Sequence, residues 1–222
     1  MTGSETFVEV PRKRGQPRIT LLSPTRQTLD DLYRVWAKEL PKLKVLPEPE
    51  PLATPRSGLD VEALARRVTP EDRAPANGSS ATFLLEHRGA SALLTADAFP
   101  SVLQRALALL AVSRLQSLPW TLDLIKRSHH GNRANTTTRL LETVQARQVL
   151  ISTNGAIFGH PDQEGIARVI ASGTLGREVW FNFRAPRREV WGGAPLQARY
   201  GYVALFATAA GATTTVHLFA KA

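Results

Sequence analysis

Three of the chain's five histidines, His129, His130 and His160, fall within about thirty residues of one another. Imidazole is a common nitrogen ligand for metal ions and the side chain most ready to move a proton near neutral pH. A carboxylate in a comparable setting, Asp97, closes the apolar run Ala92-Leu93-Leu94-Thr95-Ala96. Acid and imidazole at the mouths of neighbouring strands are the donors that a metal-assisted hydrolase uses. Lys126, Arg127, Arg133 and Arg139 surround the histidine pair. Such cations would line a site for a phosphodiester, and a solvated basic edge is the plainer reading.

Each of these residues also has a purely structural reading. Asp97 can cap the helix expected to begin near Phe99, and His160 can cap the one at Pro161. Adjacent residues of an extended segment point to opposite faces, so at most one of His129 and His130 is expected to face a given metal. Gly131 permits a sharp turn and close backbone approach there, and Asn154-Gly155 marks a second turn. His87 and His217 are expected to carry no function. A further basic group, Arg184, Arg187 and Arg188, is interleaved with Trp180, Phe181, Phe183 and Trp191. It could offer stacking as well as charge, though those aromatics read first as core.

The elements that must position these groups follow from periodicity. Residues 1–17 read as a flexible basic arm with a short extended piece at Phe7 to Val10. Arg18 to Leu22 reads as a strand. Thr25 to Leu40 places Leu29, Leu32, Tyr33, Trp36 and Leu40 on one helical face, which is expected to be buried. Residues 41–58 form a proline-rich excursion that cannot be regular structure. Asp60 to Val68 reads as a helix with Asp60 as its N-cap. Strands are expected at Ala81 to Glu86, Ser91 to Thr95, Leu122 to Lys126, Gln148 to Ser152, Glu178 to Phe181, Tyr200 to Ala207 and Thr213 to Leu218. Helices are expected at Phe99 to Leu115, Thr136 to Val144 and Pro161 to Ala171. Strands alternating with helices after residue 80 make residues 18–222 a single α/β domain with a layered sheet.

The composition narrows the partners. With 28 Lys+Arg against 19 Asp+Glu the net charge is +9 and the sequence pI is about 10.6. Such a charge favours anionic partners, nucleic acid first, through phosphate neutralisation. There is no cysteine, so disulfides and thiolate metal sites are excluded. No run approaches the roughly 18 apolar residues of a membrane span, and Met1 to Glu5 lacks the layout of a signal peptide. A cytoplasmic protein with no membrane contact is the expectation.

Three segments carry a family resemblance: Leu93-Leu94-Thr95-Ala96-Asp97-Ala98, then Lys126-Arg127-Ser128-His129-His130-Gly131-Asn132, then Asn154 through Gly159-His160-Pro161. In this order and spacing they resemble the later motifs of metallo-β-lactamase-fold hydrolases, closest to the subgroup containing the soluble domain of the DNA-uptake protein ComEC. The resemblance covers most of residues 18–172. It implies that Asp97 bridges metal ions and that His129 or His130, with a slight preference for His129, is a late ligand. Lys126, Arg127, Asn132, Arg133, Asn154 and His160 would face the substrate. The implied cofactor is divalent zinc or manganese, two ions in a complete site, and the implied reaction is hydrolysis of nucleic acid or another phosphate ester by a metal-bound hydroxide.

Two departures shape that expectation. No histidine precedes His87, so the family's main His-x-His/Asp-x-Asp-His motif is absent, and Ala96 stands where glycine is usual. The chain therefore reads as the C-terminal half of an αββα sandwich. A complementary N-terminal chain or self-association would cover its open face. The alternative is a basic module that has lost catalysis and binds nucleic acid or a protein.

Overall fold

A computed structural model describes residues 7–39, 58–156, 158–173, 175–207 and 215–218. The expected proline-rich excursion, but for Gly58, lies outside them. Eight strands form one mixed sheet in the order of the sequence: β1 (Val8–Glu9), β2 (Arg18–Ser23), β3 (Thr82–His87), β4 (Ala90–Leu94), β5 (Trp120–Lys126), β6 (Val144–Ile151), β7 (Arg177–Phe181) and β8 (Tyr202–Phe206). The first four are antiparallel neighbours and β4 to β8 run parallel. The sheet thus begins inside the expected flexible arm, because Val8 and Glu9 pair with Leu21 and Thr20.

The helices are α1 (Arg26–Glu39), α2 (Val61–Arg66), α3 (Pro75–Gly78), α4 (Pro100–Ser113), α5 (Thr138–Thr143), α6 (Gln163–Ala171), α7 (Pro186–Glu189) and α8 (Ala194–Tyr200). Local chemistry sets several of their starts. The Asp60 carboxylate accepts from the Ala63 backbone N–H at 2.8 Å, and Thr137 caps α5 by accepting from Leu140 N–H. Proline occupies the first turn of α3, α4, α7 and α8, where no N–H is needed. The short α3, α7 and α8 were not expected from periodicity, since helices of one or two turns carry too few residues to show a period.

Strand order decides where the core lies. Parallel strands joined to successive neighbours by right-handed crossovers place every connecting helix on the same side of the sheet. The packing agrees. Leu84, Leu93 and Ile125 share a core with Leu103, Leu107 and Leu110 of α4. Val149, Ile151, Val179 and Phe181 share a second with Ile166, Val169 and Ile170 of α6.

Registers place a different set of side chains on the opposite face. One row runs Ile19, Leu85, Ala92, Leu124, Gln148, Glu178, Val203 across β2 to β8. The next runs Leu21, Phe83, Leu94, Lys126, Leu150, Trp180, Leu205. Neither core includes any of them. Among the described residues this face is mostly apolar and half-buried: Ala92, Leu124 and Gln148 are buried within it, and Lys126 and Glu178, with the Arg147 guanidinium 4.0 Å from Glu178, are its charged members.

Two expectations are corrected. The apolar stripe of α1 is not buried: Leu29 is 47%, Tyr33 77% and Trp36 53% exposed. Amphipathic spacing specifies a face that wants a partner, but no described core side chain supplies one. The expected final strand is also absent over residues 215–218, which are not paired to the sheet.

Candidate active site

The carboxyl ends of β4, β5 and β6 are stitched together by backbone and hydroxyl contacts. Thr95 Oγ1 donates to the Lys126 carbonyl at 2.6 Å, His129 N–H to the Ala96 carbonyl at 2.8 Å, and Ser128 Oγ to the Ala98 carbonyl at 3.0 Å. Ala96 takes a left-handed φ of 44°, so the residue after β4 bends where glycine would bend more freely.

His129 (φ 45°, ψ 48°), His130 (φ 58°, ψ 22°) and Gly131 (φ 83°) are left-handed in succession. Non-glycine residues rarely sit there, and such strain persists only where surrounding contacts hold it. The holding contact is α6. A Cβ on Gly165 would lie 2.3 Å from the Gly131 carbonyl oxygen, so only glycine lets the helix approach this closely. This turn also overturns the expectation that the two imidazoles point to opposite faces. They leave an irregular turn rather than an extended strand, and their ring centroids are 6.2 Å apart, with His160 5.0 Å from His129.

Hydrogen bonding fixes which ring nitrogens are free. His130 Nδ1 faces the Ser152 carbonyl oxygen, which can only accept, so Nδ1 carries the proton. The Asn135 side-chain N–H₂ donates to Asp72 Oδ2 (3.0 Å) and the Asp97 carbonyl (3.2 Å). Its Oδ1 therefore accepts from His129 Nδ1 at 3.2 Å, with Asp72 Oδ2 3.5 Å from the same nitrogen. The Asn77 amide nitrogen is 3.3 Å from that nitrogen too, but it donates to Asp72 Oδ2 at the shorter distance of 2.7 Å, so two acceptors hold the proton on Nδ1. In both residues Nε2 keeps its lone pair. This is how proteins prepare a metal-ligating or proton-accepting histidine: Nδ1–H is anchored and Nε2 is left bare.

His160 differs. Asn132 Oδ1 accepts from Ala134 N–H at 2.6 Å, which turns the Asn132 side-chain N–H₂ to His160 Nε2 at 3.3 Å. The His160 proton then sits on Nδ1, 3.7 Å from Asp162 Oδ1. Its lone pair is occupied, so His160 braces the loop.

Two carboxylates serve these rings. Burial by itself would raise Asp72, but the Ala74 backbone N–H, the Asn77 and Asn135 side-chain amides and the His129 ring together hold it below the ordinary carboxylate range. Asp162 is likewise held low against burial, by His160, the Arg133 backbone N–H at 2.8 Å and the charges of His160 and Arg133. Asp72 was illegible in the sequence. It lies in the loop before α3, and only the tertiary fold carries it to His129.

The remaining expected residues divide. Asp97 and Lys126 are close enough for the carboxylate to favour the ammonium, although burial dominates and lowers the Lys126 pKa. Arg133 is exposed, with its guanidinium 3.6 Å from Glu164, and Asn154 is an exposed turn residue whose Oδ1 accepts from Ala156 N–H. Arg127 lines no surface: it is 1% exposed on the helix side, and burial, then Arg177, push its pKa down to about 10. It follows the last residue of β5, Lys126, in extended backbone, so the two side chains leave on opposite sides and one of them had to point inward. In the second basic group, Trp191 and Phe181 are core, and Arg188 donates to the His160 and Phe183 carbonyls.

The donor set fits a metal in kind but not in number. Two bare imidazole nitrogens and a nearby carboxylate are suitable ligands, yet among the described residues no group of three or more His, Asp or Glu side chains could hold an ion. The class these features define is an α/β chain with a mixed eight-stranded sheet, the crossover helices α4 and α6 packed on one face and paired imidazoles at the carboxyl ends of its parallel strands. No protein-family model matches the chain, and comparisons with curated proteins and with solved structures returned no match.

Proposed function

We propose that this chain is one wall of a metal-dependent hydrolase of metallo-β-lactamase type, acting on phosphodiesters and completed by ligands from a facing chain. The observation that carries the reading is the pair of bare Nε2 nitrogens on His129 and His130, each anchored through Nδ1. A zinc or manganese ion would supply the activated water. The chain's own share is to present the two imidazoles and Asp97, and to set Lys126 and Arg133 where phosphate charge would gather. The net charge of +9 supports a nucleic-acid substrate.

Metal uptake tests this. The chelator-stripped chain, titrated with zinc or manganese and assayed by elemental analysis, is expected to take up metal. His129→Ala or His130→Ala should each weaken uptake by about tenfold or more. The net charge of +9 also supports a second reading, a basic module that binds nucleic acid without catalysis. Salt-sensitive DNA binding that ignores chelator and Asp97→Ala, with no metal uptake, would establish that reading instead.

A further inference from the structure

Apart from Lys126 at its rim, the sheet face that no described helix covers is a broad feature that the proposed site does not use. From strand geometry, rows from β2 to β8 cover about 30 Å by about 13 Å, and the pleat raises the accessible area to the order of 600 Å². Two such faces together reach about 1,200 Å², the lower limit of stable protein interfaces. Among the described residues charge on this face nearly cancels, since Lys126 and Arg147 are set against Glu178, whose carboxylate lies 4.0 Å from the Arg147 guanidinium, in a chain whose total is +9. A second copy can therefore approach this face without strong charge repulsion.

We infer that two copies pack this face against itself, with a twofold axis parallel to the strands and passing between β4 and β5. Sheets stacked about 10 Å apart with aligned strands are an ordinary packing. In an eight-stranded sheet that axis lays β4 of one copy over β5 of the other. Asp97, just beyond β4, then meets Lys126 at the end of β5 in the second copy, so opposite charges face each other. An axis across the strands would instead set Asp97 and Lys126 over the amino ends of the facing strands, where neither finds a counter-charge on the face. The parallel axis also brings both histidine turns to one rim. The inference does not rest on the hydrolase reading, because its test is run in chelator.

Sedimentation equilibrium of the full chain in EDTA, from about 1 to about 100 μM, is expected to show a reversible species of twice the 24.3 kDa chain mass. The dimer should strengthen as salt screens the net charge. Leu150→Lys should weaken it by about thirtyfold or more, whereas the same change at Leu115, which is 96% exposed away from the face, should leave it intact. Because Leu150→Lys could impair folding, Leu205→Cys gives a gentler second measurement in this cysteine-free chain. Its maleimide labelling should be slow at high protein concentration and fast on dilution. A monomer throughout the range overturns the inference. So does labelling of Leu205→Cys that is fast at all concentrations, or slow at all of them because the chain covers its own face. A different polypeptide found seated on this face would overturn it equally.

Discussion

The two faces of this sheet are built from the same strands and the same residue types, yet they differ in what they hold. On one, Ile125, Val149 and Val179 sit at 3% exposure or less under α4 and α6. On the other, Leu150, Trp180 and Leu205 are half-buried neighbours in a row that belongs to neither core. The cause is topological. Doubly wound sheets reverse their strand order and so put helices on both faces. Here β4 to β8 follow one another without reversal, and all the crossovers fall on one side. Apolar content alone does not make a core; something must cross over to cover it.

The sharpest way to break this comparison is to truncate neighbours on β5 and β6 that point opposite ways. Ile125→Ala should destabilise the chain by about 2–4 kcal/mol through lost burial and a cavity under α4. Leu150→Ala, measured at dilution where copies are apart, should cost under about 1 kcal/mol. Urea unfolding midpoints would decide it, and equal losses would show that both faces are covered.

A second contrast lies in the adjacent cations. Arg127 is buried with Nε and one terminal nitrogen unpartnered, whereas Lys126 is on the open face. Removing an unpaired buried charge in favour of an apolar side chain is often stabilising, so Arg127→Met should raise stability by about 1–3 kcal/mol. Lys126→Met should change it by less than about 0.5 kcal/mol. The same linkage sets the sign with pH. The folded pKa of Arg127 lies below its unfolded value, so its penalty is fully present below about pH 10 and is relieved above it.

The smallest expected effect concerns the carboxylates behind the histidines. Asp72 and Asp162 are depressed in the fold, so each contributes stability that is present above the unfolded carboxylate range and lost as pH falls through the lower folded value. Stability should therefore decline below about pH 4, and Asp72→Asn should flatten part of that decline. An unchanged acid limb in the Asp72→Asn protein would show that the hydrogen bonds Asp72 accepts from Ala74, Asn77 and Asn135 are not maintained in solution.

Much of this molecule was legible in order. The hairpin of β3 and β4, the β5–histidine turn–α5 succession and the Asp60 cap all follow from periodicity, capping chemistry and the placement of glycine. Adjacent contacts along one chain obey local rules, and those rules can be read. The α1 stripe shows their limit: its spacing was read correctly, but spacing could not say that Tyr33 and Trp36 would stay exposed.

The sequence by itself determined the element types, the basic charge and the presence of imidazole and carboxylate at strand ends. Only the tertiary structure decided which groups serve one another. It brought Asp72 across 57 positions to the anchored nitrogen of His129, and it turned His129 and His130 to the same side through left-handed backbone. It also buried Arg127 while leaving Lys126 on the face. Each of these outcomes depends on contacts between segments distant in the chain, and the energy of such contacts is set by strand order and helix docking, which no local window of residues contains.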